Sequence, residues 1–264
     1  MSTPPLPPAQ VPASVYDEAY YREACLGYEE WARSDGREAA GIYAGALSRA
    51  RLVSGEVVVD LGTGRAELPC VAGAAGASRA YGIEYSDDAV ALARRTVEAH
   101  GVADCVEIVQ ADVRRVPLDD GIADLVCLID VVEHLTPGEL FGALSEARRL
   151  LRPGGRVIAH TMPNRTVYRW TYRIQRALGF HRAWPADPRN EWEHRMHVNE
   201  QSVTSLRRVL WRVGFADLDV RAGEMVHAGF VPDESARGLY YRLAARRLTR
   251  RLGVFDVWAE GVRP

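Results

Sequence analysis

Three side chains that can bind a cation or move a proton follow one apolar segment. Asp130, Glu133 and His134 come directly after the run that ends at Ile129. Spacings of three and four residues place side chains on one face of a helical turn. Carboxylate oxygens and imidazole nitrogens bind Mg²⁺ or a transition-metal ion, and an imidazole can also remove a proton. The cluster therefore predicts a metal site, a general base, or a structural hydrogen-bond network around His134.

A segment further along the chain adds two closely spaced histidines, His194 and His197. If a metal binds, the predicted ligands are Asp130, Glu133, His134 and His197. If none binds, His134 or His197 is the predicted base. Asp130, His134 and His197 are thus the candidate catalytic residues, because a bound metal would lower the pKa of an acceptor hydroxyl and a base would take its proton.

A second chemical feature is a glycine turn after the β-branched run 57–59. Gly62 and Gly64 permit a tight turn and a close approach of the backbone to a ligand. Asp60, at the end of the predicted strand, can accept hydrogen bonds from a ligand ammonium group or order the loop. A strand followed by a glycine turn and a helix is typical of a nucleotide site at the edge of a parallel sheet.

Glu84 ends the next predicted strand, twenty residues after Gly64. An acid at this place can bind both hydroxyls of a ribose, which predicts an adenosine-containing ligand. A dinucleotide site would need a third glycine where the chain has Glu67, and a carboxylate there would repel a pyrophosphate. S-adenosylmethionine (AdoMet) has no phosphate and carries a positive sulfonium, so an acidic loop favours it over NAD.

Strands and helices alternate over the first 162 residues, which predicts an α/β fold with a parallel sheet and helices on both faces. The predicted strands are 56–61, 79–84, 105–110, 123–130 and 156–161, and the helices between them are 66–76, 86–100 and 137–151. Downstream, the pattern predicts a helix at 200–213, a strand at 216–221, a helical piece at 233–249 and a closing strand at 254–262. The remaining assignments are a disordered tail at 1–13, an N-terminal helical cap over 14–52 with helices at 14–33 and 36–52, and an insertion at 163–198, with 14–264 forming one domain.

Four blocks resemble class I AdoMet-dependent methyltransferases over roughly residues 40–162. They are Val59-Asp60-Leu61-Gly62-Thr63-Gly64, Gly82-Ile83-Glu84-Tyr85-Ser86, Gln110-Ala111-Asp112-Val113, and Asp124 to His134 continuing into Leu151-Arg152-Pro153-Gly154-Gly155. Ala66 stands where the family often has a third glycine. The resemblance implies a Rossmann-like sheet of about seven strands with the last one antiparallel.

The resemblance also implies roles for individual residues. Asp60 and the backbone of Gly62, Thr63 and Gly64 would hold the methionine part of AdoMet, and Glu84 would bind the ribose. Asp112 and the Val113 amide would contact adenine, while Ile129 and Asp130 would line the methyl-transfer channel. Tyr85 and Tyr20 complete the predicted cofactor site. The acidic and histidine cluster resembles the metal site of O-methyltransferases that act on ribose 2′-hydroxyls or catechol-like rings.

Charge and composition narrow the function classes. The net charge is −2 and no nucleic-acid motif is present, which disfavours a nucleic-acid partner. No apolar run reaches the ~18 residues of a membrane helix. The chain has no lysine, which excludes Schiff-base chemistry and suggests a GC-rich bacterial source. The four cysteines form no CxxC pair, as expected for reduced thiols in the cytoplasm.

The predicted acceptor is a small molecule, a sugar or another polar hydroxylated metabolite. Loops at this sheet edge build substrate sites, and both the cap and the insertion supply aromatic residues. These are Tyr16, Tyr20, Tyr21, Tyr28, Trp170, Trp184 and Trp192. Arginines recur along 165–176, a pattern of solvated helix faces and also of helices that contact anionic membranes. An NAD(P)-dependent oxidoreductase and a non-catalytic AdoMet-fold protein are the alternative functions.

Overall fold

Seven strands form one sheet in the computed structural model, which describes residues 5–25, 27–177, 186–187, 189–223 and 254–264. The order across the sheet is β3-β2-β1-β4-β5-β7-β6. Neighbours among β1 to β5 are parallel, whereas β7 is antiparallel to both β5 and β6. The strands are β1 Val57–Leu61, β2 Arg79–Glu84, β3 Val106–Gln110, β4 Ala123–Ile129, β5 Leu151–Thr161, β6 Ala216–Ala222 and β7 Val257–Val262. The α/β, Rossmann-like fold with an antiparallel last strand is confirmed.

Burial explains why the central strands consist of apolar runs. Val58, Val59 and Leu61 of β1 are fully buried, as is the stretch 125–128 of β4. A parallel strand between two helical layers buries both faces, so its sequence does not alternate between apolar and polar residues. The helices are α1 Glu18–Ala24, α2 Tyr28–Arg33, α3 Gly41–Arg49, α4 Glu67–Ala74, α5 Asp87–His100, α6 Pro137–Leu150, α7 Tyr172–Ala177, α8 Glu191–Met196 and α9 Val203–Val213.

The first predicted helix, 14–33, is interrupted in the structure. It becomes a short 3₁₀ turn at Ala13–Val15 followed by α1 and α2. Gly27 precedes α2 with a φ of 76°, a left-handed conformation that favours glycine. The apolar spacing continues across this break, which is why periodicity alone predicts one helix. The second predicted helix, 36–52, is shortened to α3.

One other difference concerns the start of β5. β5 begins at Leu151, five residues before the predicted strand 156–161, because Leu151 already pairs with Ala123 of β4. The predicted helical piece at 233–249 lies outside the described residues, as does the 178–185 part of the predicted insertion.

Residues 5–13, assigned from sequence to a disordered tail, lie against the domain in the structure. The carbonyl of Pro7 accepts from Arg114, the amide of Gln10 donates to Glu139, and the carbonyl of Val11 accepts from the hydroxyl of Tyr85. Val11 is only 5% exposed. The proline-rich composition indicated disorder, but these backbone groups find partners that a local sequence pattern does not report.

One buried ion pair ties the N-terminal helices to the turn after β1. Arg65 and Glu67 approach to 2.7 Å, with side chains 2% and 1% exposed. A carboxylate oxygen of Glu67 also accepts from the amide of Ala40, just before α3. The carboxylate predicted to repel a pyrophosphate is therefore already offset by a guanidinium.

Replacing one member of this pair should cost far more stability than replacing a surface partner. We expect Glu67→Gln to lower the free energy of unfolding by about 3–5 kcal/mol, because it removes the carboxylate charge that faces the buried guanidinium of Arg65. The matched control is Glu107→Gln, whose pairing with Arg79 is half exposed and should contribute at most about 1 kcal/mol. Urea unfolding of both variants checks this, and equal losses would contradict it.

Candidate functional site

The turn after β1 forms the floor of a cavity of about 320 Å³ at the carboxyl ends of the parallel strands. Gly62 and Gly64 have φ values of 76° and 53°. A Cβ on Gly62 would lie 2.7 Å from Val131, so glycine is needed here for space as well as conformation. Ala66, at the third glycine position of the family pattern, adopts the left-handed conformation with φ of 60°.

Glu84 joins the ends of β1 and β2. One carboxylate oxygen accepts from the amide of Gly64 at 3.1 Å, and the other accepts from the amides of Tyr85 and Ser86 at 2.8 and 3.0 Å. Burial raises the pKa of this carboxyl, and the three amide bonds act in the opposite direction. The side chain lines the cavity, and with three of its roughly four acceptor positions taken by amides it has one left for a hydroxyl donor.

Asp60 lies beside the same turn and is 3% exposed. The hydroxyl of Thr63 donates to its carboxylate at 2.7 Å. Burial raises the pKa of Asp60 to about 7, although the Thr63 bond lowers it. A bound cation would favour the ionised form, so this carboxyl is suited to meet a positive ligand group.

The two residues predicted to contact adenine lie at the cavity, where Asp112 already has a protein partner. Asp112 and Val113 line the cavity. The guanidinium of Arg114 donates to both carboxylate oxygens of Asp112, at 2.9 and 2.7 Å. Tyr85 lines the same part, with its hydroxyl on the carbonyl of Val11. A carboxylate has about four acceptor positions, so Asp112 can still accept from an amino group while it holds Arg114.

Aromatic side chains line the N-terminal side of the cavity. Tyr20 is in edge contact with Tyr16, Tyr21 and Trp192, with ring centroids 5.2 to 5.5 Å apart. All four rings line the cavity, as predicted for Tyr20. Trp170 lies on the surface instead, Tyr28 packs on Trp31, and Trp184 lies outside the described residues.

The predicted metal or base cluster comes together in part. Donor atoms of Glu133, His134 and His197 all lie within 4.8 Å of one another. A 3₁₀ turn at Val132–His134 carries the first two, and His197 directly follows α8. Asp130 is not in this group. His194 is also separate, half exposed and 3.6 Å from Asp187.

Burial sets the protonation of this three-residue cluster. It lowers the pKa of His134 to about 3 and that of His197 to about 4, so both imidazoles are neutral near pH 7. Burial, followed by the charge of Asp130, raises the pKa of Glu133 to about 8. The Nδ1 atoms of both histidines are buried without a hydrogen-bond partner among the described residues. Such atoms have a lone pair or a proton to offer to a ligand.

Asp130 pairs with His160, a residue that the sequence did not single out. The carboxylate of Asp130 lies 2.7 Å from Nδ1 of His160, and Nε2 of His160 lies 3.4 Å from Asp256. Burial opposes charge on His160, but the two carboxylates raise its pKa to about 10. Burial likewise opposes charge on Asp130, yet the facing imidazolium holds the pKa of that carboxyl below its usual value.

His160 was missed because it lies within the apolar strand β5 and has no exposed surface. The hydrophobic pattern and the apolar neighbours predict that such a residue belongs to the hydrophobic core. One signal could have identified His160. The parallel strands β4 and β5 end at the same edge of the sheet, so His160 pairs with Ile129, next to Asp130. Asp130 and Ile129 both line the cavity, and their role in a methyl-transfer channel stays a prediction.

Comparison with known proteins agrees with this geometry. Residues 59–159 match the family described as "Methyltransferase domain". An Arabidopsis thaliana "Probable protein arginine N-methyltransferase 6" is 30% identical over 149 residues, covering 56% of this chain and 34% of that protein. A Pseudomonas putida "Probable fatty acid methyltransferase" is 30% identical over 110 residues, 42% of this chain and 28% of that one. The chain thus spans about a third of the length of these curated relatives.

A solved structure supports the fold across a longer stretch. Phosphoethanolamine N-methyltransferase 2 of Haemonchus contortus, in complex with S-adenosylhomocysteine, superimposes with a TM-score of 0.65 at 15% identity and covers 96% of this chain and 60% of that one. At this sequence identity, the superposition shows that the two folds agree. Residues 59–159 thus match a methyltransferase domain by sequence, and the sheet order and the glycine turn with Glu84 agree with a Rossmann-like methyltransferase fold.

Proposed function

We propose that this chain transfers the methyl group of AdoMet to a hydroxyl of an uncharged, polar small molecule. The observation that carries the proposal is the cavity at the carboxyl ends of β1, β2 and β4, where Asp60, Glu84 and Asp130 face one space. In AdoMet the sulfonium lies between the methionine ammonium group and the ribose, and Asp60, Asp130 and Glu84 would meet the ammonium, the sulfonium and the ribose respectively. Three carboxyls spaced along one cavity complement those groups.

The acceptor side supports an uncharged molecule. Arg65 and Arg114 line the cavity, and each is ion-paired, with Glu67 and with Asp112 and Glu139 respectively. An anionic acceptor would compete with carboxylates that already neutralise both guanidinium groups. Tyrosine and tryptophan rings suit the face of a sugar or of a hydroxylated ring, and their polar groups can bond its hydroxyls. Two arguments disfavour NAD, the acidic cavity and the missing third glycine.

The three-residue cluster fits a metal ion by its donor chemistry. Glu133, His134 and His197 would supply one carboxylate and two neutral imidazoles, with both Nδ1 atoms buried and unbonded among the described side chains. Such a set suits a transition ion better than Mg²⁺, which prefers oxygen ligands. A bound ion would acidify an acceptor hydroxyl. The residues themselves orient the acceptor, and a neutral imidazole can take its proton when no ion is bound.

The ribose assignment is tested by Glu84→Gln. An amide replaces one carboxylate oxygen and removes the charge, so AdoMet affinity should fall by about 1.5–3 kcal/mol. Calorimetric titration compares the AdoMet affinity of this variant with that of Glu107→Gln, which changes an exposed acid on β3. The unaltered protein should bind AdoMet and S-adenosylhomocysteine, with no heat for NAD. Tight NAD binding without AdoMet binding would overturn the proposed function.

A second test uses pH. Because burial raises the pKa of Asp60 to about 7 and the cationic ligand favours the ionised form, AdoMet affinity should fall as the pH drops below 7. The expected slope approaches tenfold per pH unit between pH ~5.5 and ~6.5. Asp60→Asn should bind more weakly and with a flatter profile, whereas Asp217→Asn, at an exposed position, should keep the slope. An unchanged slope in Asp60→Asn would rule out this origin of the pH dependence.

The metal hypothesis is tested by thermal unfolding with Mn²⁺ or Zn²⁺. Free metal at about one hundred times its Kd stabilises a folded protein by about 2.7 kcal/mol, so Tm should rise by several degrees and EDTA should reverse the rise. His197→Ala should abolish the shift, while His194→Ala, outside the cluster, should retain it. Absence of a shift with either ion leaves His134 and His197 as a metal-free pair.

A further inference from the structure

The helical segment 165–177, which follows β5, presents two large apolar side chains to solvent. Trp170 is 68% exposed and Ile174 is 57% exposed. A spacing of four residues places them next to each other on one face. Single exposed apolar residues are ordinary on protein surfaces, but a neighbouring tryptophan and isoleucine form a contact-prone patch.

Arginines border this patch. Arg169 and Arg173 are exposed and each directly precedes one of the two apolar residues. Residues 165–177 contain four arginines and no aspartate or glutamate. We call Arg169, Trp170, Arg173 and Ile174 the Trp170 face. It combines apolar side chains with positive charge and carries no acid in its own segment.

The opposite side of the segment is anchored in the domain. Val167 and Tyr172 are 0% and 1% exposed. The hydroxyl of Tyr168 donates to Asp187 at 2.9 Å, and the guanidinium of Arg189 lies 4.8 Å from the centroid of the Tyr168 ring. These contacts hold the Trp170 face outward, so its exposure follows from how the segment is packed.

We propose that the Trp170 face docks on the surface of an anionic phospholipid bilayer. Tryptophan partitions into the headgroup region, isoleucine adds buried apolar area, and arginines are attracted to anionic lipids. An acidic protein or a nucleic acid would satisfy the arginines but would leave Ile174 against a polar partner. Within the described ranges no helix has the length and apolar character to cross a bilayer, so the contact is peripheral.

The docked segment begins three residues after Met162, which lines the cavity. A bilayer against the Trp170 face would thus lie against the segment that leads directly out of the candidate site. The docking itself does not depend on the proposed methyl transfer, and its test uses no acceptor. A failure of one therefore leaves the other standing.

Co-sedimentation with vesicles tests the docking. The full chain should bind vesicles of mixed phosphatidylglycerol and phosphatidylcholine at low salt, and its binding should fall strongly at ~0.5 M salt. It should not bind vesicles of pure phosphatidylcholine. The double variant Trp170→Ser with Ile174→Ser should lower the partition coefficient at least about tenfold. Arg169→Glu with Arg173→Glu should lower it by a similar factor through charge alone.

Trp211→Ser is the matched control, because Trp211 is 71% exposed on α9 and lies outside the Trp170 face. It should bind vesicles like the unaltered chain. Circular dichroism checks the fold of each variant, and if the apolar pair proves misfolded the arginine pair decides. The proposal is overturned if the unaltered chain stays in the supernatant, if Trp211→Ser loses as much binding, or if a DNA duplex is bound in place of vesicles.

Discussion

The carboxylate of Glu84 determines the shape of the cavity, because it holds three backbone amides from two different strand ends. Two of these amides, those of Tyr85 and Ser86, lie where the chain turns from β2 into α5. The third, that of Gly64, belongs to the glycine turn after β1. The parallel register that brings Leu61 beside Ile83 makes this possible. A single buried acid thus connects strand pairing to the position of the cofactor site.

Burying several acids around one cavity has an electrostatic cost. A different neighbouring group offsets that cost at each acid. Glu84 is stabilised by amides and Asp60 by a single hydroxyl, while Asp130 faces the imidazolium of His160. Glu133 accepts from the hydroxyl of Thr161, yet burial and the charge of Asp130 raise its pKa to about 8. The remaining need for positive charge is greatest between Asp60 and Glu133, which is where a cationic ligand would stabilise the site most.

Local patterns in the sequence were enough for the sheet, the glycine turn and Glu84, because each depends on residues close together in the chain. The pairing of Asp130 with His160 could not be predicted, since strand burial hides a histidine among apolar neighbours. The contacts of residues 5–13 were missed for a related reason, as their partners lie a hundred positions away. The break between α1 and α2 could be predicted only in part. Gly27 indicates it, but the apolar spacing continues across it.

Asp130 adopts a left-handed conformation, with φ of 55°, at the point where β4 enters the site. Among residues with a Cβ, asparagine and aspartate tolerate this conformation best, and glycine adopts it freely. Neither asparagine nor glycine would carry the charge that His160 faces. Position 130 is therefore under two constraints at once, one on backbone conformation and one on charge, and of these three residues aspartate alone satisfies both.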